Sequence, residues 1–402
     1  WFSLGINLGL LVYFKYMDFF TSNINFFISS KIPLMRITLP LGISFFTFQQ
    51  ISFIVDAYKG QVPDYSFLDY ANYVTFFPQL VAGPIVTHGE LIPQLQDPER
   101  KKVNWESLAK GIFLFSMGLI KKVILADTFG NAADFGYGNL EALDSGNALI
   151  VTVSYTLQIY FDFSGYCDMA LGAGKMLNLE LPENFRSPYK ARTITEFWDR
   201  WHITLTRFFT RYVYIPLGGS RRGRFRMYRN TMIVFLASGL WHGADWSFVV
   251  WGALHGVFFV ITKHFQKVFD RIPGVINWLI TFCFVNGAWV FFRAGSIGEA
   301  AAMYKILFSK NFGPVNEFLL TNFRLTEIEF FLSRTPIESA FPWLMTAVFY
   351  GCSAVLVLGF KNAYEHMQNF KPDGKHLAFT VFLLVWGVFS LSGISQFLYF
   401  NF

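Results

Sequence analysis

Charge and cysteine are both scarce in this chain. Asp, Glu, Lys and Arg make up 15% of its 402 residues, against roughly 25% in soluble domains. With 53% hydrophobic residues, 20% aromatic and 50 Phe, long uncharged runs separated by short charged loops exclude an ordinary soluble core and indicate an integral membrane protein. The cysteines Cys167, Cys283 and Cys352 are scattered and odd in number, which excludes a disulfide framework or a thiolate metal site and leaves three small packing residues. Internal repeats, low-complexity tracts and a second, soluble domain are also missing. The chain opens on Trp1 with no charged n-region or small-residue cleavage site, so no signal peptide is read and further upstream membrane segments are expected.

Apolar runs suggest about ten membrane-embedded segments, if each crossing takes about 20 residues. The clear candidates are 1–14, 39–55, 70–86, 107–126, 147–171, 231–262, 275–292, 341–360 and 377–398. Pro40, Gly42, Gln49 and Gln50 interrupt one of them, and Pro78, Gly83 and Pro84 another. Such breaks suit re-entrant helices lining a cavity, or ordinary helices kinked at proline. The segment from about 300 to 338 reads as an extramembranous loop or interfacial helix.

Charge is concentrated locally. Residues 186–229 carry eleven basic groups, among them Arg186, Arg221, Arg222 and Arg224, against Glu196 and Asp199; the rest of a chain of net +6 sums to −3. The positive-inside rule puts this segment on the cytoplasmic side. It serves as a topology signal with contacts to anionic lipid, or also as a site for a phosphorylated donor such as a coenzyme A thioester. Nucleic-acid binding is the poorest of the three, because no recognised binding fold surrounds the arginines.

Within it, residues 194–213 read as one amphipathic helix at the membrane interface. Thr193 and Glu196 suggest a capping box, and Pro216, Gly218 and Gly219 end the run. Ile194, Phe197, Trp198, Trp201, Leu205, Phe208, Phe209 and Tyr212 form its apolar stripe, with His202 on the border, one turn from Asp199 and from Thr206. His202 is then either a tautomer fixed by those neighbours or an interfacial histidine that snorkels.

His242 lies instead in the apolar run MIVFLASGLWHGADWSFVVWG, among Ser238, Gly239, Gly243 and Ala244, small enough to admit another backbone or a thin pantetheine arm. An ionisable group at membrane depth is a functional-site hypothesis by default. A neutral imidazole near a hydroxyl and a thioester carbonyl has the equipment for acyl transfer; a core histidine bonded to a backbone carbonyl or to Asp245 is the plain alternative. On periodicity alone His255, in the same stretch, is an equal candidate. Asp162, Ser164 and Asp168 put two acids into another apolar run, where arginines of the basic loop are the expected partners, and Cys167 beside them is a weak candidate for an acyl-enzyme.

The blocks NFRSPYKARTITEFWDRWHITLTRFFTRYVYIPLGG and SGLWHGADWSFVVWGALHG, with LPLGISFFTFQQISFIVDAYKG, YVTFFPQLVAGPI, YFDFSGYCDMALG and SQFLYFNF, resemble the membrane-bound O-acyltransferase superfamily, in particular its bacterial branch of alginate and other polysaccharide O-acetyltransferases. The teichoic acid D-alanyl transferases share the histidine pair. The resemblance is strong from about 33 to 293 and weak from about 295 to 375. It implies one all-α, polytopic membrane domain over residues 1–402, with region 183–229 inside it, in which transmembrane and re-entrant helices ring a thin centre crossed by a substrate tunnel.

The resemblance also implies His242 as general base or relay and His202 as its polar partner, orienting the donor or polarising the thioester carbonyl. Asp199, Trp201, Trp241, Asn184 and Arg186 would support them, and Arg221, Arg222 and Arg224 would hold donor phosphates. It sets His255 aside. The implied setting is the bacterial plasma membrane, with membrane lipids around the protein, acetyl-CoA as acyl donor, no bound cofactor, and an extracytoplasmic acetyltransferase partner that completes transfer to a polysaccharide. No metal is expected, since the histidines lack a ligand set. Two other functions are compatible with the sequence: a D-alanyl or lipid acyltransferase fed by an acyl carrier protein, and a transporter whose histidines couple proton movement.

Overall fold

The computed structural model describes residues 1–28, 31–81, 83–325, 341–393 and 398. The part of the expected 300–338 loop from 326 onward and most of the closing SQFLYFNF block lie outside the described residues. Among the described residues the regular structure is helical, and pairing of the β type is limited to one bridge, Phe185 with Trp201.

In chain order the helices are α1 Phe2–Leu11, α2 Met17–Phe27, α3 Ile43–Tyr58, α4 Phe67–Thr75, α5 Phe77–Leu80, α6 His88–Gln96 and α7 Trp105–Ile120. They continue with α8 Asp127–Gly138, α9 Ser145–Met176, α10 Ile194–Arg200, α11 Ile203–Phe209, α12 Arg224–His242, α13 Trp246–His264 and α14 Gln266–Phe269. The last are α15 Gly274–Arg293, α16 Ile297–Leu307, α17 Glu317–Leu320, α18 Phe341–Ala354, α19 Ala363–Gln368 and α20 Gly374–Phe389. Single π-helical turns join α1 to α2 at Val12–Tyr16 and α7 to α8 at Lys121–Ala126. By length and composition, three described helices can cross a membrane: Trp246–His264, Gly274–Arg293 and Phe341–Gly359.

Two helix pairs frame the interior. α7 and α9 approach through paired glycines: a Cβ on Gly111 would lie 2.7 Å from the Gly172 carbonyl oxygen, and one on Gly118 would lie 2.6 Å from that of Gly165. Small residues at such contacts let backbones close in where lipid supplies no hydrophobic drive. α12 and α13 meet in the same way. A Cβ on Gly239 would lie 2.3 Å from the Phe248 carbonyl oxygen, and one on Gly252 2.4 Å from that of Phe235.

Three expectations change here. The apolar stretch 231–262 is an antiparallel pair, α12 and α13, turned at 243–245, where the Asp245 carboxylate accepts from the Ser247 N–H at 2.7 Å and caps α13. Hydropathy runs unbroken through such a turn. The single helix expected over 194–213 begins as expected, with Thr193 Oγ1 accepting from the Glu196 N–H, but divides between Arg200 and Ile203. Asp162 and Asp168 pair with lysines, not with arginines of the basic loop: Lys122 lies 2.7 Å from both Asp162 and Asp127, and Lys121 2.5 Å from Asp168. Lysines at the end of α7 are simply nearer.

Candidate active site

His202 stands at the break between α10 and α11, with φ 46° and ψ 52°. A non-glycine residue in the left-handed region is uncommon and needs support from its surroundings. The Phe185–Trp201 bridge supplies it. Arg186 N–H donates to the Arg200 carbonyl and Ile203 N–H to that of Asn184, so the 184–186 strand is laid along the break and Asn184 faces His202.

The Asn184 amide then fixes the ring. Its Oδ1 accepts from the Thr204 N–H at 3.2 Å and from the Thr204 hydroxyl at 2.9 Å, while its Nδ2 donates to Cys167 Sγ at 3.3 Å. Because Oδ1 is already identified as the acceptor by a backbone donor, its 3.1 Å contact with His202 Nδ1 requires the proton on Nδ1. The neutral ring therefore presents a lone pair at Nε2. Thr204 Oγ1 in turn accepts from the Ile85 N–H, tying the assembly to the chain ahead of α6.

This differs from the interfacial histidine read from periodicity. His202 is fully buried, and with the helix broken its spacing from Asp199 no longer puts the two side chains on one face. Asp199 is exposed and lines a cavity with Lys263. Trp201 is buried against Phe185, Phe197 and Trp289. Arg186 is bound to Glu183 through Nε and Nη2.

His242 is the last residue of α12. Its ring lies among Trp241 at 4.8 Å, Trp251 at 5.1 Å and Phe292 at 5.0 Å, centroid to centroid. Trp241 connects the two histidines: its ring meets His202 edge-on at 6.1 Å, stacks on Phe48 at 5.2 Å, and donates from Nε1 to the Ser44 carbonyl. His255, fully buried, accepts at Nδ1 from Trp198 Nε1 at 3.2 Å within an aromatic box. The small residues around His242 divide in use. Gly239 and Gly243 are filled by α13 contacts, since a Cβ on Gly243 would lie 2.1 Å from the Phe248 ring, whereas Ser238 and Ala244 line cavities.

Cavities lie on two sides of this pair. The larger, about 380 Å³, runs along α12 over Met227, Thr231, Val234 and Ser238, and along α11 over Leu205 and Thr206 to Thr210 just past its end. The helical repeat places His242 one turn beyond Ser238 and His202 one turn before Leu205 and Thr206. The lining on α12 thus stops at Ser238, one turn short of His242, while on the α10–α11 side it takes Trp198, Asp199, Leu205 and Thr206 from either side of His202. At its other end the cavity reaches Tyr214, Ser220 and Tyr228, beside the exposed Arg221, Arg222 and Arg224. These arginines are not gathered at the histidines: the 19 residues of α12 span about 28 Å.

The smaller cavities lie beyond His242. One of about 70 Å³ is lined by His242, Trp241, Ser44, Phe45, Gly42 and Lys15; a second, of about 200 Å³, shares Lys15 and Leu39 with it. Lys15 was not singled out in the sequence, where the first apolar span stops at residue 14. The signal was available: a lone lysine in LGLLVYFKYMDFF, costly to place at membrane depth unless it has a task. Among the described residues no group of three or more His, Cys, Asp or Glu side chains is arranged to hold a metal ion.

The fold and the site define a helical membrane protein with two buried histidines in its interior, of which His242 lines a cavity. Residues 49–297 match the sequence profile of the membrane-bound O-acyltransferase family. The chain is 41% identical to the peptidoglycan O-acetyltransferase of Helicobacter pylori, over all of this chain and 82% of that protein. It is 40% identical to the probable alginate O-acetylase AlgI of Pseudomonas aeruginosa, over 77% of this chain and 60% of that protein. Identity to the teichoic acid D-alanyltransferase of Bacillus subtilis is 27%, over 61% of this chain and 66% of that protein. This chain belongs to the membrane-bound O-acyltransferase family, and it is an O-acyltransferase.

Proposed function

We propose that this protein takes an acetyl group from cytoplasmic acetyl-CoA in the bacterial plasma membrane and passes it outward for O-acetylation of an extracytoplasmic polysaccharide, peptidoglycan or an alginate-like polymer. The observation that carries the reading is the larger cavity, whose α12 wall stops at Ser238, one turn short of His242, whose facing wall takes residues from either side of His202, and whose other end lies beside the arginine loop. A coenzyme A thioester suits such a shape: phosphates at Arg221, Arg222 and Arg224, the thin arm along Met227, Thr231 and Ser238, the thioester at the histidines. The names of relatives from Helicobacter and Pseudomonas favour acetyl and a glycan acceptor.

In this mechanism the acceptor hydroxyl enters from the side of the small cavities. His242 removes its proton as the oxygen attacks the thioester carbonyl. The new C–O bond forms, the C–S bond breaks, and the leaving sulfur takes the proton from His242, giving the O-acetyl ester and free coenzyme A. His202, with its proton held on Nδ1 by Asn184, acts through the Nε2 lone pair and orients the hydroxyl or the neighbouring imidazole. In that neutral tautomer the ring carries no N–H at Nε2 to offer the thioester carbonyl. The hydroxyl belongs to the glycan or to an extracytoplasmic acetyltransferase partner that relays the group.

The test is acetyl transfer by the purified protein in lipid nanodiscs, supplied with acetyl-[14C]CoA and the neighbouring extracytoplasmic acetyltransferase or a soluble glycan. The reading requires thioester consumption that is lost in His242→Ala at unchanged protein level. Consumption of a carrier-protein thioester with no use of acetyl-CoA would replace it with the D-alanyl type of reaction. Substrate movement across vesicles without thioester cleavage would replace it with transport.

A further inference from the structure

The last turn of α12 is held by side chains from a distant part of the chain. A helix C-terminus leaves its final carbonyls without intrahelical partners, and at membrane depth each such oxygen is costly unless the protein satisfies it. Here the π-helical turn Val12–Tyr16 supplies the donors. Tyr16 donates its hydroxyl to the Leu240 carbonyl at 2.6 Å; Lys15 Nζ donates to the Trp241 carbonyl at 2.6 Å and to the His242 carbonyl at 3.1 Å. The third ammonium N–H has Ser44 Oγ, in the first turn of α3, at 3.3 Å. Three consecutive carbonyls are therefore taken by two adjacent side chains.

The placement matters because Lys15 also lies where the two small cavities meet, and His242 lines the nearer of them. We infer that Lys15 is a positioning residue for acyl transfer: by clamping the Trp241 and His242 carbonyls to Ser44 it fixes the direction in which the His242 imidazole enters the site. The inference rests on the role proposed above for His242. Lys15 acts through the backbone it holds. The π turn puts Lys15 and Tyr16, successive residues, within reach of neighbouring carbonyls of the same helix end.

Two measurements on the full-length protein in nanodiscs test this. In acetyl-CoA turnover, Lys15→Met is expected to lower kcat about 100-fold, the scale of a misplacement of about 1 Å, with KM for acetyl-CoA within about twofold of the parent. Lys15→Arg, which restores a cationic donor, should recover part of that loss, and Tyr16→Phe should lower kcat less than Lys15→Met. Independently of activity, the rate of carbethoxylation by diethyl pyrocarbonate, mapped by mass spectrometry, should rise several-fold at His242 in Lys15→Met and stay unchanged at the exposed His264. Loss of thermal stability without a change in the His242 rate would mark Lys15 as a structural residue only and overturn the inference. So would full kcat in Lys15→Met while His242→Ala is dead. If the parent protein does not turn over acetyl-CoA, the proposed function fails, and the modification rates still decide whether Lys15 positions His242.

Discussion

The two ends of α12 are built on opposite terms. At the Arg224 end the charges are many and exposed. At the His242 end one lysine reaches three oxygens, and the imidazole is enclosed by Trp241, Trp251 and Phe292. Abundant exposed charge sets orientation in the membrane and attracts anions at long range, where salt screens it. Sparse buried donors fix geometry, and a single substitution there has nothing to replace it. The cavity over Met227, Thr231 and Ser238 joins these two regimes along one helix face.

The contrast can be broken most severely at His242. Replacement by Ala should lower single-turnover acetyl transfer by about 100- to 10,000-fold, the range for loss of a general acid–base group, without changing the amount of folded protein seen by size-exclusion chromatography. Asn184→Ala comes next. It removes the acceptor shared by His202 and Thr204 and should cost about 1–3 kcal/mol of stability for the buried donors left unsatisfied, read as a lowered melting temperature together with reduced turnover. Gly239→Ala tests the frame: the added Cβ meets the Phe248 carbonyl, and forcing α12 from α13 should cost about 1–3 kcal/mol in thermal unfolding. The smallest effect belongs to the other end. Replacing Arg221, Arg222 and Arg224 together with Gln should raise KM for acetyl-CoA about tenfold at low ionic strength and leave kcat alone, since each exposed pair contributes up to about 1 kcal/mol. Raising the salt should shrink that difference; a KM effect that persists in high salt would place the arginines in closer, buried contact with the donor.

Much of the frame was legible from residue pattern. The starts of α10 and α15 and the span of α18 fall close to the expected positions, because capping residues and hydropathy report on local structure. What periodicity missed were places where long-range contacts override it. The left-handed turn at His202 is imposed by the Phe185–Trp201 bridge, and nothing in RWHIT announces it. The α12–α13 turn did leave a trace in Gly243-Ala244-Asp245, a small pair followed by an N-cap residue, but it is short enough to vanish inside a hydropathy window. The site divided along the same line. His242 and Trp241 were adjacent in sequence, and Asn184 reached the expected set only through family resemblance; its bond to His202 is a tertiary contact. Lys15 was hidden because its meaning depends on carbonyls more than 220 residues away.

The ion pairs between α7 and α9 bear on how the chain enters its membrane. Lys121 and Lys122 are made before Asp162 and Asp168, the acids that pair with them. A lysine inside a bilayer costs about 3 kcal/mol on insertion scales; Asp127 offers Lys122 a partner five residues on, whereas Lys121 has to wait for Asp168 on α9. The glycine contacts at 111–172 and 118–165 then close the pair. Asp162 also accepts from the backbone N–H of Leu398. Closing this charge cluster therefore waits until Leu398 has been made, 236 residues after Asp162, so a cluster that begins to form between neighbouring helices is completed only by a distant part of the chain.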